Sequence, residues 1–196
     1  MQRYLKGKRI SLHGLTPHDL RSDGPYYSWL DNLSLDIFGE RSDFPNTQAR
    51  MESYFATACA NDSLVLLGLF DNATGRHIGN ITLQQIDWIQ RRAFLGYLIG
   101  EKDFTGQGIA SQACLMMMYY GFNKLNMDRI WTTISTGHDA SLRVAEKVGL
   151  KEEGILREHQ MRNGVRRDVK VVGALREQWN KTHSAAALDF FVEPPA

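Results

Sequence analysis

The chain has 196 residues, 43% of them hydrophobic and 23% charged, which is the make-up of one folded domain and excludes a disordered chain. Lys plus Arg is 23 and Asp plus Glu is 22, and a formal net charge of +1 gives no electrostatic reason to expect a nucleic-acid or membrane-surface binder. Two cysteines exclude a disulfide framework and a Cys-rich zinc module. No apolar run approaches the ~20 residues of a membrane span. The basic opening, Met1 to Arg9, lacks the apolar core of a secretory leader, so a cytoplasmic protein without a metal is expected.

Arg9 to Leu15 alternates and reads as a strand. Thr16-Pro17 offers a cap and a helix start, interrupted at Gly24-Pro25, and Tyr26 to Leu30 is a short helical piece. Asp36 to Asn46 is loop-like. Asn46 or Thr47 caps a helix running to Ala60, with Ala49, Tyr54, Phe55 and Ala58 on one side. Three strands meander as hairpins, Ser63 to Phe70, His77 to Ile86 and Ala93 to Ile99. A helix from Ile109 to Lys124 follows, then a strand from Arg129 to Ser135 and a helix from Asp139 to Lys147 stopped by Gly149. Lys151 to Met161 and Val165 to Ala174 flank Asn163-Gly164, a hairpin signal. Leu175 to Lys181 makes a last helical turn or two. The order predicts an α/β domain over residues 1–182, its helices covering a mixed, mostly antiparallel sheet, with a tail over 183–196. Phe190, Phe191 and Val192 give that tail something to dock.

Phe104-Thr105-Gly106-Gln107-Gly108-Ile109-Ala110-Ser111 joins a strand to a helix. Glycines let the backbone approach an anion, and the first free amides and the dipole of the helix favour negative charge. The segment suits a phosphate or a pyrophosphate, or simply starts a helix. It is neither a P-loop nor the dinucleotide fingerprint, because both spacings fail.

Together with Asp139-Ala140-Ser141-Leu142-Arg143-Val144-Ala145-Glu146-Lys147-Val148-Gly149-Leu150 and the element order, this loop makes Arg9 to Trp179 resemble the GCN5-related N-acetyltransferase (GNAT) family, closest to its ribosomal-protein N-terminal acetyltransferase branch. The resemblance implies acetyl-CoA as cosubstrate. Its pyrophosphate would lie on the amides of Thr105, Gly106, Gln107, Gly108, Ile109, Ala110 and Ser111, with Thr105 standing where Gln or Arg is usual. It also implies that the strand through Tyr97, Leu98 and Ile99 splays from its neighbour, leaving backbone groups free for the pantetheine arm. His138 stands where that branch has a cofactor-contacting Asn. The Tyr with which many relatives protonate the leaving thiolate is replaced by Ala145, and by analogy with the branch Ser141 is the candidate acid, with water as the alternative.

The amine must lose a proton to attack, and an unperturbed Lys-type amine has a pKa of about 10.4, so a base helps at neutral pH. Glu153 and Asp87 are the leading candidates, with His159 and Glu101 behind them; each carboxylate also fits a purely structural place. Cys59 and Cys114 both read as small core residues, which favours direct transfer over a cysteine intermediate. Tyr27, Trp29 and Trp88 offer flat faces for an acceptor, although Tyr26 and Trp29 equally suit stapling a helix to the sheet. The Tyr26 to Asn32 stretch resembles acetyltransferases of nucleotide-linked amino sugars, whereas Arg91-Arg92-Ala93-Phe94, with the acidic Asp31, Asp36, Glu40 and Asp43 nearby, resembles polyamine acetyltransferases. The expected function is acetyl transfer to a primary amine of a small molecule, such as a nucleotide-linked amino sugar. A protein N-terminus or a polyamine is the alternative acceptor, and a non-catalytic CoA-binding module is the remaining alternative. A free strand edge near the last hairpin allows a homodimer.

Overall fold

The computed structural model describes residues 3–30, 45–162 and 164–183. Their elements are β1 Arg3–Lys6, β2 Ile10–Gly14, α1 Pro25–Leu30, α2 Gln48–Ala60, β3 Val65–Asp71, β4 His77–Asp87, β5 Arg92–Ile99, α3 Ile109–Asn123, β6 Arg129–Ser135, α4 Asp139–Lys147, β7 Lys151–Arg162, β8 Val165–Leu175 and α5 Arg176–Thr182. The strands form one sheet in the order β1-β2-β3-β4-β5-β6-β8-β7, with every neighbouring pair antiparallel except β5 and β6. This is the α/β architecture, a mixed, mostly antiparallel sheet flanked by helices, that the order of elements predicts.

Alternation sorts the side chains onto two faces. Leu67 and Leu69 of β3, Ile81 and Leu83 of β4, and Ala93 and Leu95 of β5 meet α3. That helix is buried nearly all round: Ile109, Ala113, Cys114, Met116, Met117, Met118 and Phe122 are all 2% exposed or less, so the methionine run is core. On the other face Phe70 and Leu98 join Leu15, Leu20, Tyr26, Trp29, Leu30 and Met51 under α1 and α2.

Four details depart from the expected elements. β1 is an additional strand, pairing Leu5 with Leu12, and its four residues Arg-Tyr-Leu-Lys are too few to show a period. After Thr16-Pro17 only a 3₁₀ turn forms, Pro17–Leu20, closed by the Asp19 carboxylate on the Thr16 amide and hydroxyl at 2.7 Å each. In α2 the fully buried residue is Met51, while Ala49 lies exposed. Cys59 is exposed too, contrary to its reading as a core residue, because α2 has little amphipathic character and solvates most of its circumference. The loop from Asp36, the acidic group Asp31, Asp36, Glu40 and Asp43, Asn163 and the tail beyond His183 lie outside the described residues.

The Thr47 side chain accepts from the Arg50 amide at 3.2 Å and starts α2. Thr47→Ala is expected to cost about 1 kcal/mol, read as a lower midpoint in urea at unchanged slope.

Candidate active site

β5 ends at Ile99, a 3₁₀ turn spans Lys102–Phe104, and Thr105 to Gly108 lead into α3. Gly106 has φ +73° and Gly108 φ +79°, a left-handed pair around Gln107 that L side chains resist. Such alternation turns successive amides toward one point, an anion-binding concavity. Gly108 is the N-cap of α3 and offers no side chain to satisfy its first amides, so these remain available to a ligand. A Cβ built on Gly106 or Gly108 would meet nothing within 4 Å, so the loop's concavity is open. Ile109 and Ser111 are buried and Ala110 half-buried, so those side chains anchor the helix and only their backbone is placed to serve an anion. Thr105 closes the 3₁₀ turn, its hydroxyl donating to the Lys102 carbonyl at 2.7 Å.

The parallel strands β5 and β6 pair only at Arg92 with Arg129, Ala93 with Ile130 and Phe94 with Trp131. β5 then runs to Ile99 and β6 to Ser135 without further mutual pairing, while each keeps its antiparallel partner. The result is a V that opens toward the glycine loop. Along its β5 side, from Leu95 to Ile99, the backbone groups facing β6 have no strand partner, and such groups are obligatory hydrogen-bonding sites.

At the open end, Tyr97 of β5 reaches α4. Its hydroxyl lies 3.0 Å from Ser141 Oγ. The Ser141 amide donates to His138 Nδ1 at 3.1 Å, so His138 caps α4 with its ring. Burial, with Cys114 alongside, pushes the Tyr97 phenol up to about 12, so it stays protonated at any physiological pH. A phenol is a stronger acid than an alcohol and the better donor. With Tyr97 donating, the Ser141 hydrogen is free to point elsewhere. Cys114 beneath is fully buried, and that burial pushes its thiol up, which makes it inert as a nucleophile.

Glu153, Asp87 and Trp88 sit at the closed end of the V, and Trp29 lies in the core. Glu153 forms a bidentate pair with Arg129, beside the first β5–β6 partner pair. The guanidinium holds its carboxyl below the usual range, the reverse of what proton uptake from an amine requires. This pair stabilises the fold above the unfolded carboxyl value of about 4.3 and loses that contribution as pH falls through the lower folded value. Glu153→Gln is therefore expected to lower the melting temperature at pH 7 and to have no effect near pH ~2.

Asp87 caps the β4–β5 turn, accepting from the amides of Ile89 at 3.1 Å and Gln90 at 2.8 Å, with Arg92 at 3.4 Å. Trp88 lies half exposed on that same turn, its indole N–H donating to the Asp62 carbonyl at 3.0 Å. Trp29 is a correction to the expected acceptor platform. It is 4% exposed and lies so close over Gly100 that a Cβ there would come within 2.0 Å of the ring. Its N–H donates to Glu101 at 3.0 Å, so it staples α1 to the sheet. Tyr27 is half-buried, and its hydroxyl donates to the Asn46 carbonyl at 3.0 Å. Opposite α3, the sheet around the V presents Thr82, Gln84, Phe94, Trp131, Thr133 and Ser135, all half-buried, with the Phe94 and Trp131 rings edge to face at 5.0 Å.

Two features escaped the sequence reading. Tyr97 reads as a strand residue serving through its backbone, and nothing local signals that its hydroxyl meets Ser141, 44 positions on. Arg9, at the end of the β1–β2 turn, donates to the Gln107 carbonyl and side chain from 98 positions away.

The chain matches the acetyltransferase (GNAT) domain over residues 9–151. It is 33% identical over 105 residues to a protein named as a putative ribosomal N-acetyltransferase, YdaF of Bacillus subtilis, a match covering 54% of this chain and 57% of that protein. It is 32% identical to a probable N-acetyltransferase, YjcK of the same organism, over 87% of this chain and 96% of the relative. The fold superposes with a TM-score of 0.79 on a Vibrio cholerae spermidine N-acetyltransferase solved with CoA and spermine, at 22% identity over 87% of this chain and 98% of that one.

Proposed function

The chain belongs to the GNAT acetyltransferase family, the N-acetyltransferases that use acetyl-CoA, and we propose that it moves the acetyl group directly to a primary amine of a small molecule. The observation that carries this reading is the V between β5 and β6 with the left-handed glycine loop at its open end. The loop would take the pyrophosphate, and the free backbone groups of Leu95 to Ile99 would take the pantetheine arm and the thioester carbonyl. Amides on that carbonyl would become the donors for the tetrahedral oxyanion.

The amine nitrogen bonds to the acetyl carbon, the carbon–sulfur bond breaks, and the net proton passes from nitrogen to sulfur. A thiol of pKa near ~8.5 needs only a weak acid. Ser141 would supply it, with Tyr97 donating to the serine oxygen and aiming its hydrogen at the sulfur. With Glu153 paired to Arg129 and Asp87 spent on its turn, the amine's proton would leave through water.

The half-buried floor of hydroxyls, an amide and two aromatic rings suits a neutral, hydroxyl-rich acceptor body. The sugar ring of a nucleotide-linked amino sugar has that chemistry, and this acceptor ranks above a polyamine, the acceptor class of the Vibrio relative, and above a protein N-terminus, the class suggested by YdaF. A second copy of the chain would pair along β7, whose outer edge no described strand covers and which exposes Ile155 and Leu156.

The test is release of free thiol from acetyl-CoA in an amine panel containing nucleotide amino sugars, spermidine and an N-terminal ribosomal peptide. Turnover greatest with the amino sugars supports the reading. Turnover greatest with the peptide or with spermidine replaces the acceptor, and CoA binding with no turnover on any amine favours a binding module.

A further inference from the structure

The geometry points to Arg9 as a positioning residue for the diphosphate-binding loop, an inference that rests on the cosubstrate site proposed above. Arg9 Nη1 donates to the Gln107 carbonyl at 3.0 Å and Nη2 to Gln107 Oε1 at 2.7 Å. The same Gln107 side chain donates from Nε2 to the Asp103 carbonyl at 2.5 Å. Gln107 is therefore gripped by its main chain and by both ends of its amide.

The consequence follows from peptide geometry. A trans peptide places the carbonyl of one residue and the N–H of the next on opposite sides. Fixing the Gln107 carbonyl on Arg9 turns the Gly108 N–H away from Arg9, toward the concavity that the two left-handed glycines form. Without that grip the peptide between two glycines, the most freely rotating residues, has alternative orientations to populate.

Arg9 is itself held. The Asn72 amide donates to the Arg9 carbonyl at 2.8 Å, and Asn72 Nδ2 donates to the Gly7 carbonyl at 2.8 Å. Gly7 brings the β1–β2 turn against α3 so closely that a Cβ there would come within 3.0 Å of Gln112 and 3.1 Å of Met116. The turn, the loop and the first turns of α3 thus form one unit. Among the described residues Arg9 makes no ion pair, so its charge also adds positive potential beside a site for a diphosphate.

The test titrates the full chain with CoA and with 3′-dephospho-CoA, which share the diphosphate and differ only in the ribose phosphate. Arg9→Ala is expected to weaken both ligands by roughly tenfold, as for loss of a charge-assisted hydrogen bond. The melting temperature of the free protein should fall only slightly, because both hydrogen bonds are solvent-exposed, whereas a merely structural role would lower it along with the affinity. Arg9→Lys, which keeps the charge but lacks the two-pronged fork, is expected to lose most of the affinity as well. Unchanged affinity in Arg9→Ala, a loss confined to CoA, or full recovery in Arg9→Lys would each overturn positioning. If the parent bound neither ligand, the cosubstrate site itself would fail instead.

Discussion

Gly108→Trp is expected to abolish measurable binding of acetyl-CoA to a chain that still folds. Two effects act at this position and can be separated. The backbone sits at φ +79°, so any L side chain pays roughly 1–2 kcal/mol to be left-handed. A Cβ there meets nothing within 4 Å, so the side chain itself causes no clash in the free protein. The indole would instead fill the space over the first amides of α3, where the pyrophosphate must approach. Gly108→Ala carries the same backbone strain with a fraction of the bulk. It should therefore show a similar fall in melting temperature but retain part of the affinity in calorimetric titration. Parent-like binding by the tryptophan variant would place the cosubstrate elsewhere.

Ser141→Ala is expected to lower kcat by about 10²-fold, the scale of losing a general acid, with little change in KM for acetyl-CoA. Tyr97→Phe should lower kcat by roughly tenfold, because the serine hydroxyl survives but loses the donor that orients it. Since Tyr97 acts through Ser141, the double variant should be no slower than Ser141→Ala alone, a non-additivity that independent contributions would not give. With its phenol near 12, Tyr97 should add no descending limb to the rate profile between pH 7 and 10. The measurement is steady-state kinetics with whichever amine turns over best. Equal kcat in Ser141→Ala and parent would leave water as the proton source.

What was readable from sequence is what local rules control. Alternation marked β2, and Gly149 marked the end of α4, where φ is +83°. Gly106 and Gly108 stood out because their spacing ahead of an apolar helix has a direct conformational meaning. The splay of β5 from β6 came from the family resemblance, since no local pattern states where two parallel strands cease to pair.

The less readable part is long-range. The carboxylates of Glu153 and Asp87 were equally consistent with catalysis and structure. Only the tertiary arrangement showed one clamped by Arg129 and the other holding its turn. Trp29 carried both readings too, and the close approach of Gly100 decides for the core. The Tyr97 hydroxyl meets Ser141 from a strand, a contact invisible to any motif confined to α4.

The central claim is that acetyl-CoA lies in the V between β5 and β6, with its diphosphate on the glycine loop. Backbone amide hydrogen exchange of the intact chain, with and without CoA, tests it most directly. The account predicts slowed exchange at β6-facing amides from Leu95 to Ile99 and at Gln107, Gly108 and Ile109, with the β7–β8 hairpin unaffected. Protection confined to other elements, with those amides exchanging as in the free protein, would contradict it.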